Sequence, residues 1–142
     1  MSAASTSIES AAASATPSSQ TWFKRVMWLG ILANLAVGLL LICWPAWTLA
    51  IFHLAEPFPT IWARHSGLIL ISMTLFYLPA ALCPLGFLYN AIMAIVARIM
   101  GIVFFLIAWD VYLWFAAFDA LFALPQAVLL WRSWRDDLMS KP

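Results

Sequence analysis

Charge is what this sequence has least of. Asp, Glu, Lys and Arg make up 9% of its 142 residues, and between Arg25 and Arg132 only Glu56, Arg64, Arg98, Asp110 and Asp119 are charged. An average soluble domain carries about 25%, so a free-standing soluble globule is excluded. Cysteine is almost as scarce. Cys43 and Cys83 stand alone, without C-x-x-C spacing, which excludes a disulfide framework and leaves no redox or zinc motif. A net charge of +1 with no basic cluster removes the electrostatic footprint of nucleic-acid binding. No Gly-rich phosphate loop, no HExxH and no nucleophile-histidine-carboxylate spacing is present, which favours a non-enzymatic role.

What is there is apolar. Hydrophobic residues are 65% of the chain, and the mean hydropathy of +0.97 is carried by long uninterrupted runs. A helix crossing an apolar layer of about 30 Å needs about 20 residues. Four stretches meet that length, at roughly 26–46, 61–82, 87–108 and 113–131. The sequence therefore predicts an all-α integral membrane protein, a four-transmembrane-helix antiparallel bundle occupying residues 21–135. Residues 1–20, rich in Ser and Ala, predict a disordered tail, and 136–142 a short cytoplasmic C-terminal tail. Pro45 ends the first span, and residues 48–60 form a connection along the surface.

The few cations orient the chain. Lys24, Arg25, Arg132, Arg135 and Lys141 flank one end of the spans and Arg64 alone the other, so the positive-inside rule puts both termini in the cytoplasm, as expected of a bacterial inner-membrane protein. Tryptophans sort the same way. Trp22, Trp28, Trp131 and Trp134 fall at the inner interface, and Trp44, Trp47, Trp62, Trp109 and Trp114 at the outer one. This topology separates Cys43 from Cys83 and predicts no disulfide between them.

Two polar loci stand out. Arg98 and Asp119 sit near the middle of the third and fourth spans, where an unpaired charge costs roughly 2.5–3.5 kcal/mol on insertion scales. They are expected to pair, either as an interhelical lock or as the floor of a site for a headgroup, a quinone carbonyl or a proton. Asn90 and Gln126 lie on the same stripes and extend that candidate site. Gln126 also follows Pro125 and is placed to satisfy a carbonyl that the proline frees. The second locus is an outer-face cluster of His53, Glu56, Arg64, His65 and Asp110. Arg64 paired with Asp110 or Glu56 accounts for it, and no HxxxH spacing supports a metal. No cofactor is evident.

On the first span Gly30, Asn34 and Gly38 recur at steps of four, a small-residue stripe suited to close helix packing within the chain or in a homodimer. An I-x-A-R-x-x-G pattern occurs twice, at Ile61–Gly67 and Ile95–Gly101. It is either a coincidence or a sign that the third helix begins near Ile95.

The four spans and the Ala-Arg-x-x-Gly motifs at Ala63–Gly67 and Ala97–Gly101 resemble those of the DoxX-like small inner-membrane proteins. The resemblance implies a compact four-helix membrane fold, sometimes associated with quinone-linked oxidoreductase systems, and assigns no catalytic residue. Two roles follow as expectations: an accessory or assembly subunit with the bilayer or other membrane subunits as partners, or a quinone- or lipid-binding module.

Overall fold

A computed structural model of the chain describes residues 18–55, 57–108 and 112–140. Among them there are five helices and no strand: α1 (Ser19–Cys43), α2 (Pro45–Ile51), α3 (Ile61–Leu82), α4 (Leu88–Ala108) and α5 (Leu113–Ser140). Four of these, all but α2, are long and apolar enough to cross a membrane.

Both terminal helices are longer than the hydropathy predicts. α1 begins at Ser19 rather than near residue 26, and α5 continues to Ser140, through most of the segment expected to be a tail. The two extensions hold each other. Ser18 caps α1 by accepting from the Thr21 N–H at 3.3 Å. Ser19 donates to Asp136 at 3.3 Å, and Ser133 donates to Ser19 at 3.2 Å. Phe23 and Met27 bury completely beside Leu130 in the core. Apolar length sets where a helix can span, whereas helix ends follow from caps and packing. The remainder of the expected N-terminal tail, residues 1–17, lies outside the described residues.

At the other end of α1 the chain breaks at Trp44, whose backbone leaves the helical region, and Pro45 starts α2 at its first turn. The first residues of the predicted surface connection, 48–51, thus belong to a helix. Thr48 donates to the Trp44 carbonyl at 2.8 Å. His53 then closes α2 with φ +55°, its N–H bonding Ala50 while Leu54 bonds Leu49. That pair of bonds is the left-handed helix stop usually given to glycine, so His53 has a structural task in the backbone. His53→Gly is expected to leave thermal stability unchanged or slightly raised, and His53→Val to lower it by about 1–2 kcal/mol.

Each long helix packs against two others, α1 on α3 and α5, and α4 on α3 and α5. The closest approach joins α1 to α3, where Gly38 and Gly67 meet: a Cβ on Gly38 would lie 2.9 Å from the Gly67 carbonyl oxygen. α4 begins at Leu88, not near Ile95, so the two I-x-A-R-x-x-G segments sit at different levels, one opening α3 and the other central in α4. The apolar core (Phe23, Met27, Ile31, Tyr77, Ala80, Ala91, Ile95 and Leu130 among its members) fills the half of the molecule nearer the chain termini. Past Arg98, no described residue of α4 is buried.

The outward surface is apolar along all four long helices, with Leu29, Leu75, Ile107 and Leu124 among its exposed side chains. The eight described tryptophans are exposed and fall toward the helix ends. Arg25 lies over Trp22 at 4.9 Å and Arg135 over Trp131 at 5.1 Å, the pairing of cation and indole that suits a headgroup layer. Trp109 lies outside the described residues. Cys43 and Cys83 are free thiols, at the α2 end of α1 and in the turn before α4 respectively.

Candidate functional site

Arg98 occupies the middle of α4 and points inward, with 4% of its side chain exposed. All four long helices close around it. Asp119 of α5 accepts from its Nη1 at 3.0 Å. The Phe122 ring of α5 lies 4.9 Å from the guanidinium carbon, and the Tyr77 ring of α3 lies 5.9 Å away. On the α1 side Gly30 makes the room, since a Cβ there would come within 2.8 Å of Nη2. The pair uses one guanidinium nitrogen, and Nε is buried without a hydrogen-bond partner among the described residues.

Asp119 is held from the other side by Gly101, whose added Cβ would overlap Oδ2. This gives the second Ala-Arg-x-x-Gly segment a physical reading: Arg98 supplies the cation and Gly101, one turn on, leaves space for its carboxylate. Asp119 also retains 20% exposure. With about 100° between successive residues, it falls within the arc bounded by Ala116 and Gln126, both buried. Its side chain therefore leaves α5 on the inward face.

Gln126 is 0% exposed, and neither its Nε2 nor its Oε1 has a partner among the described residues. The expected bond to a carbonyl freed by Pro125 is absent. The proline frees the carbonyl of Leu121, and Leu121 is on the exposed face of α5 while Gln126 points into the core. A buried amide without partners costs about 1–3 kcal/mol by mutational comparison. Gln126→Leu is therefore expected to raise resistance to denaturation in detergent by about 1–2 kcal/mol, read from an SDS titration. A fall of that size would show that the amide is satisfied in the folded protein.

Asn90 does not belong to this group. Its side-chain amide donates to the Phe76 carbonyl at 3.1 Å and ties α4 to α3 near the turn that joins them. Interhelical hydrogen bonds of this type contribute about 0.6 kcal/mol on average, so Asn90→Leu is expected to cost no more than about 1 kcal/mol in the same titration. The Gly30, Asn34, Gly38 stripe is buried within the chain, Gly30 against Arg98 and Gly38 against Gly67. A homodimer would have to use another face.

The outer-face cluster is only partly drawn together. Arg64 and His65 are exposed on the first turn of α3 and line a shallow groove with Ile42, Trp62 and Leu68. His65 meets the Trp62 ring edge-on at 6.4 Å. His53 is exposed at the end of α2. Glu56 and Asp110, the two carboxylates assigned to Arg64, lie outside the described residues. Among the described residues no three His, Cys, Asp or Glu side chains are grouped as a metal site would require.

A feature the sequence reading missed lies beside this cluster. Val37 and Leu41 of α1, Leu49 and Phe52 from α2 and its end, Ala63 of α3 and Phe115 of α5 line a half-open apolar pocket of about 220 Å³, with the exposed Trp62 and Ser66 at its rim. Phe52 and Phe115 pack at 4.9 Å between ring centroids and join α2 to α5. Only the helical character of residues 45–51 announces it, in the proline at the first position of that segment. No family model, curated protein or solved structure matches the chain.

Proposed function

We propose that this multi-pass membrane protein is an antiparallel four-helix bundle of a bacterial inner membrane, with both termini in the cytoplasm, and that it serves as a non-enzymatic accessory or assembly subunit of a membrane complex. The observation that carries this reading is the division of its side chains. The central charge pair is turned inward and engaged with all four long helices, while the outward surface offers large apolar side chains to lipid or to neighbouring helices. Opposed contacts support the antiparallel arrangement: Ser19 meets Ser133 and Gly30 meets Phe122 between α1 and α5, and Arg98 meets Asp119 while Phe105 meets Phe115 between α4 and α5. The Ala-Arg-x-x-Gly resemblance to DoxX-like proteins agrees with this plan.

Purification of the full chain in a mild detergent tests it. A companion membrane protein at fixed stoichiometry, retained through gel filtration and recovered reciprocally, is the expected result; a protein that runs alone from its native membrane overturns the subunit role. A C-terminal reporter is expected to read cytoplasm.

A second reading, a module that binds a lipid or quinone, is favoured by one specific observation. Gln126 and Arg98 Nε are buried polar groups without partners among the described residues, and such groups are uncommon in folded proteins. Solvent extraction and mass spectrometry of the purified protein test this reading, the retention of one lipid or quinone per chain being its expected result.

A further inference from the structure

We propose that the groove between the end of α1 and the first two turns of α3 seats one singly anionic phospholipid, its phosphate on Arg64 and His65 and one acyl chain along Ile42 and Leu68. The site is separate from the buried polar groups of the ligand reading. It rests only on the chain's crossing a membrane.

Local geometry builds the groove. Ile61, Arg64, His65 and Leu68 follow one another at helical spacing and form one stripe of α3. Ile42 of α1 supplies the facing wall, and with Trp62 these residues border a space of about 410 Å³. That volume falls in the range of ligand sites, about 300–1,000 Å³. Ile42 is fixed by the helix crossing itself, since its Cγ1 stands 3.0 Å from where a Cβ on Gly67 would lie, beside the Gly38 contact. The wall thus belongs to packed helices rather than to a loop. Along the stripe, Leu68 lies one turn, about 6 Å, further into the span than Arg64. A charged entrance therefore leads onto an apolar strip.

Depth and charge select the occupant. Trp44, Trp47 and Trp62 are all exposed at this end of the molecule, which suits a headgroup layer. Arg64 is exposed and makes no ion pair with any described residue. No carboxylate lines the groove among the described residues. A guanidinium offers only donors, which a phosphodiester accepts in forked geometry. A choline or ethanolamine head brings in addition a cation that finds no counter-charge among the lining residues, so a lipid with an uncharged polyol on its phosphate fits best. The Trp62 indole, edge-on to His65 at 6.4 Å, presents an apolar body and one N–H donor at the ester level.

The test uses the full chain, delipidated in a mild detergent, and native mass spectrometry over titrations with palmitoyl-oleoyl phosphatidylglycerol or phosphatidylcholine. The first phosphatidylglycerol is expected to bind about fivefold more tightly than the first phosphatidylcholine, the usual effect of one cation beside an anionic headgroup. Arg64→Gln is expected to abolish this preference and Arg64→Lys to keep most of it, whereas Arg25→Gln, at the opposite end of the bundle, leaves it in place. Leu68→Trp, which crowds the apolar strip, is expected to weaken the first phosphatidylglycerol at least threefold, about the loss of one well-placed contact. Arg64 and Leu68 are both exposed, so these variants retain the fold. Inorganic phosphate in excess is expected not to displace the lipid. Equal binding of the two lipids overturns the proposal, as does a preference that survives Arg64→Gln or yields to inorganic phosphate. A preference that emerges only in the double variant Glu56→Gln, Asp110→Asn shows Arg64 committed to a carboxylate and overturns it too.

Discussion

Asp119→Ala is expected to lower the unfolding free energy by about 3–5 kcal/mol, the range for breaking a buried ion pair from one side. The large effect comes from what remains. Arg98 is 4% exposed, its guanidinium cannot shed its proton, and its Nε is already without a partner among the described residues. Removing the carboxylate leaves a permanent charge among Tyr77, Phe122 and the α1 backbone at Gly30. The double variant Arg98→Met, Asp119→Leu is expected to recover wild-type stability or exceed it, because exchanging a whole buried pair for apolar side chains removes both desolvation costs. An SDS titration of the four proteins in one detergent gives the coupling energy directly. If Asp119→Ala loses less than about 1 kcal/mol, Arg98 has a second counter-charge and the lock is not this pair. The double variant also separates structure from activity, since a folded protein that no longer supports its complex or ligand assigns function to the pair.

The second large effect is expected at the α1–α3 crossing. A Cβ on Gly67 would lie 2.5 Å from the Gly38 carbonyl oxygen, with Leu41 and Ile42 at 3.0 Å, so both the facing backbone and its neighbours obstruct it. Backbone cannot rotate aside as a side chain can. Gly67→Ala therefore forces the helices apart and is expected to cost about 2–3 kcal/mol, toward the upper end of overpacking effects. Gly38→Ala, 2.9 Å from the Gly67 carbonyl oxygen, is expected to follow it closely. Gly30→Ala meets mainly the far end of Arg98, which can shift, and is expected to cost less than either. The order Gly67, Gly38, Gly30 is the measurable content. Equal losses at all three would mean that helix propensity and not close approach sets them.

The two effects describe one construction. Glycine draws α1 onto α3, and the ion pair draws α4 onto α5, while Gly30 lets the Arg98 guanidinium reach across to α1. The larger apolar side chains of the core cluster in the half near the termini. In the other half α2 is joined to α5 through Phe52 on Phe115.

Much of this plan is legible in the sequence. The all-helical class and the four long apolar helices follow from the apolar runs alone, because a layer without water requires every backbone group to bond within its own helix. The rarity of charge makes Arg98 and Asp119 conspicuous at matched depths. Helix ends were less legible: Ser19 and Ser133 are ordinary polar residues in sequence, and only their contact extends α1 and α5 past the apolar spans. The direction in which a polar side chain finds a partner was not legible either. Asn90 and Gln126 occupy equivalent stripes, yet Asn90 reaches a carbonyl of α3 and Gln126 reaches none. Composition and spacing by themselves determined what spans and which charges lie deep, since both depend on local transfer energies. Tertiary structure alone decided that Gly30 accommodates Arg98, that Gly101 makes room for Asp119, and that Phe52 at the end of α2 packs on Phe115 of α5, because each depends on which backbone comes within reach of which side chain.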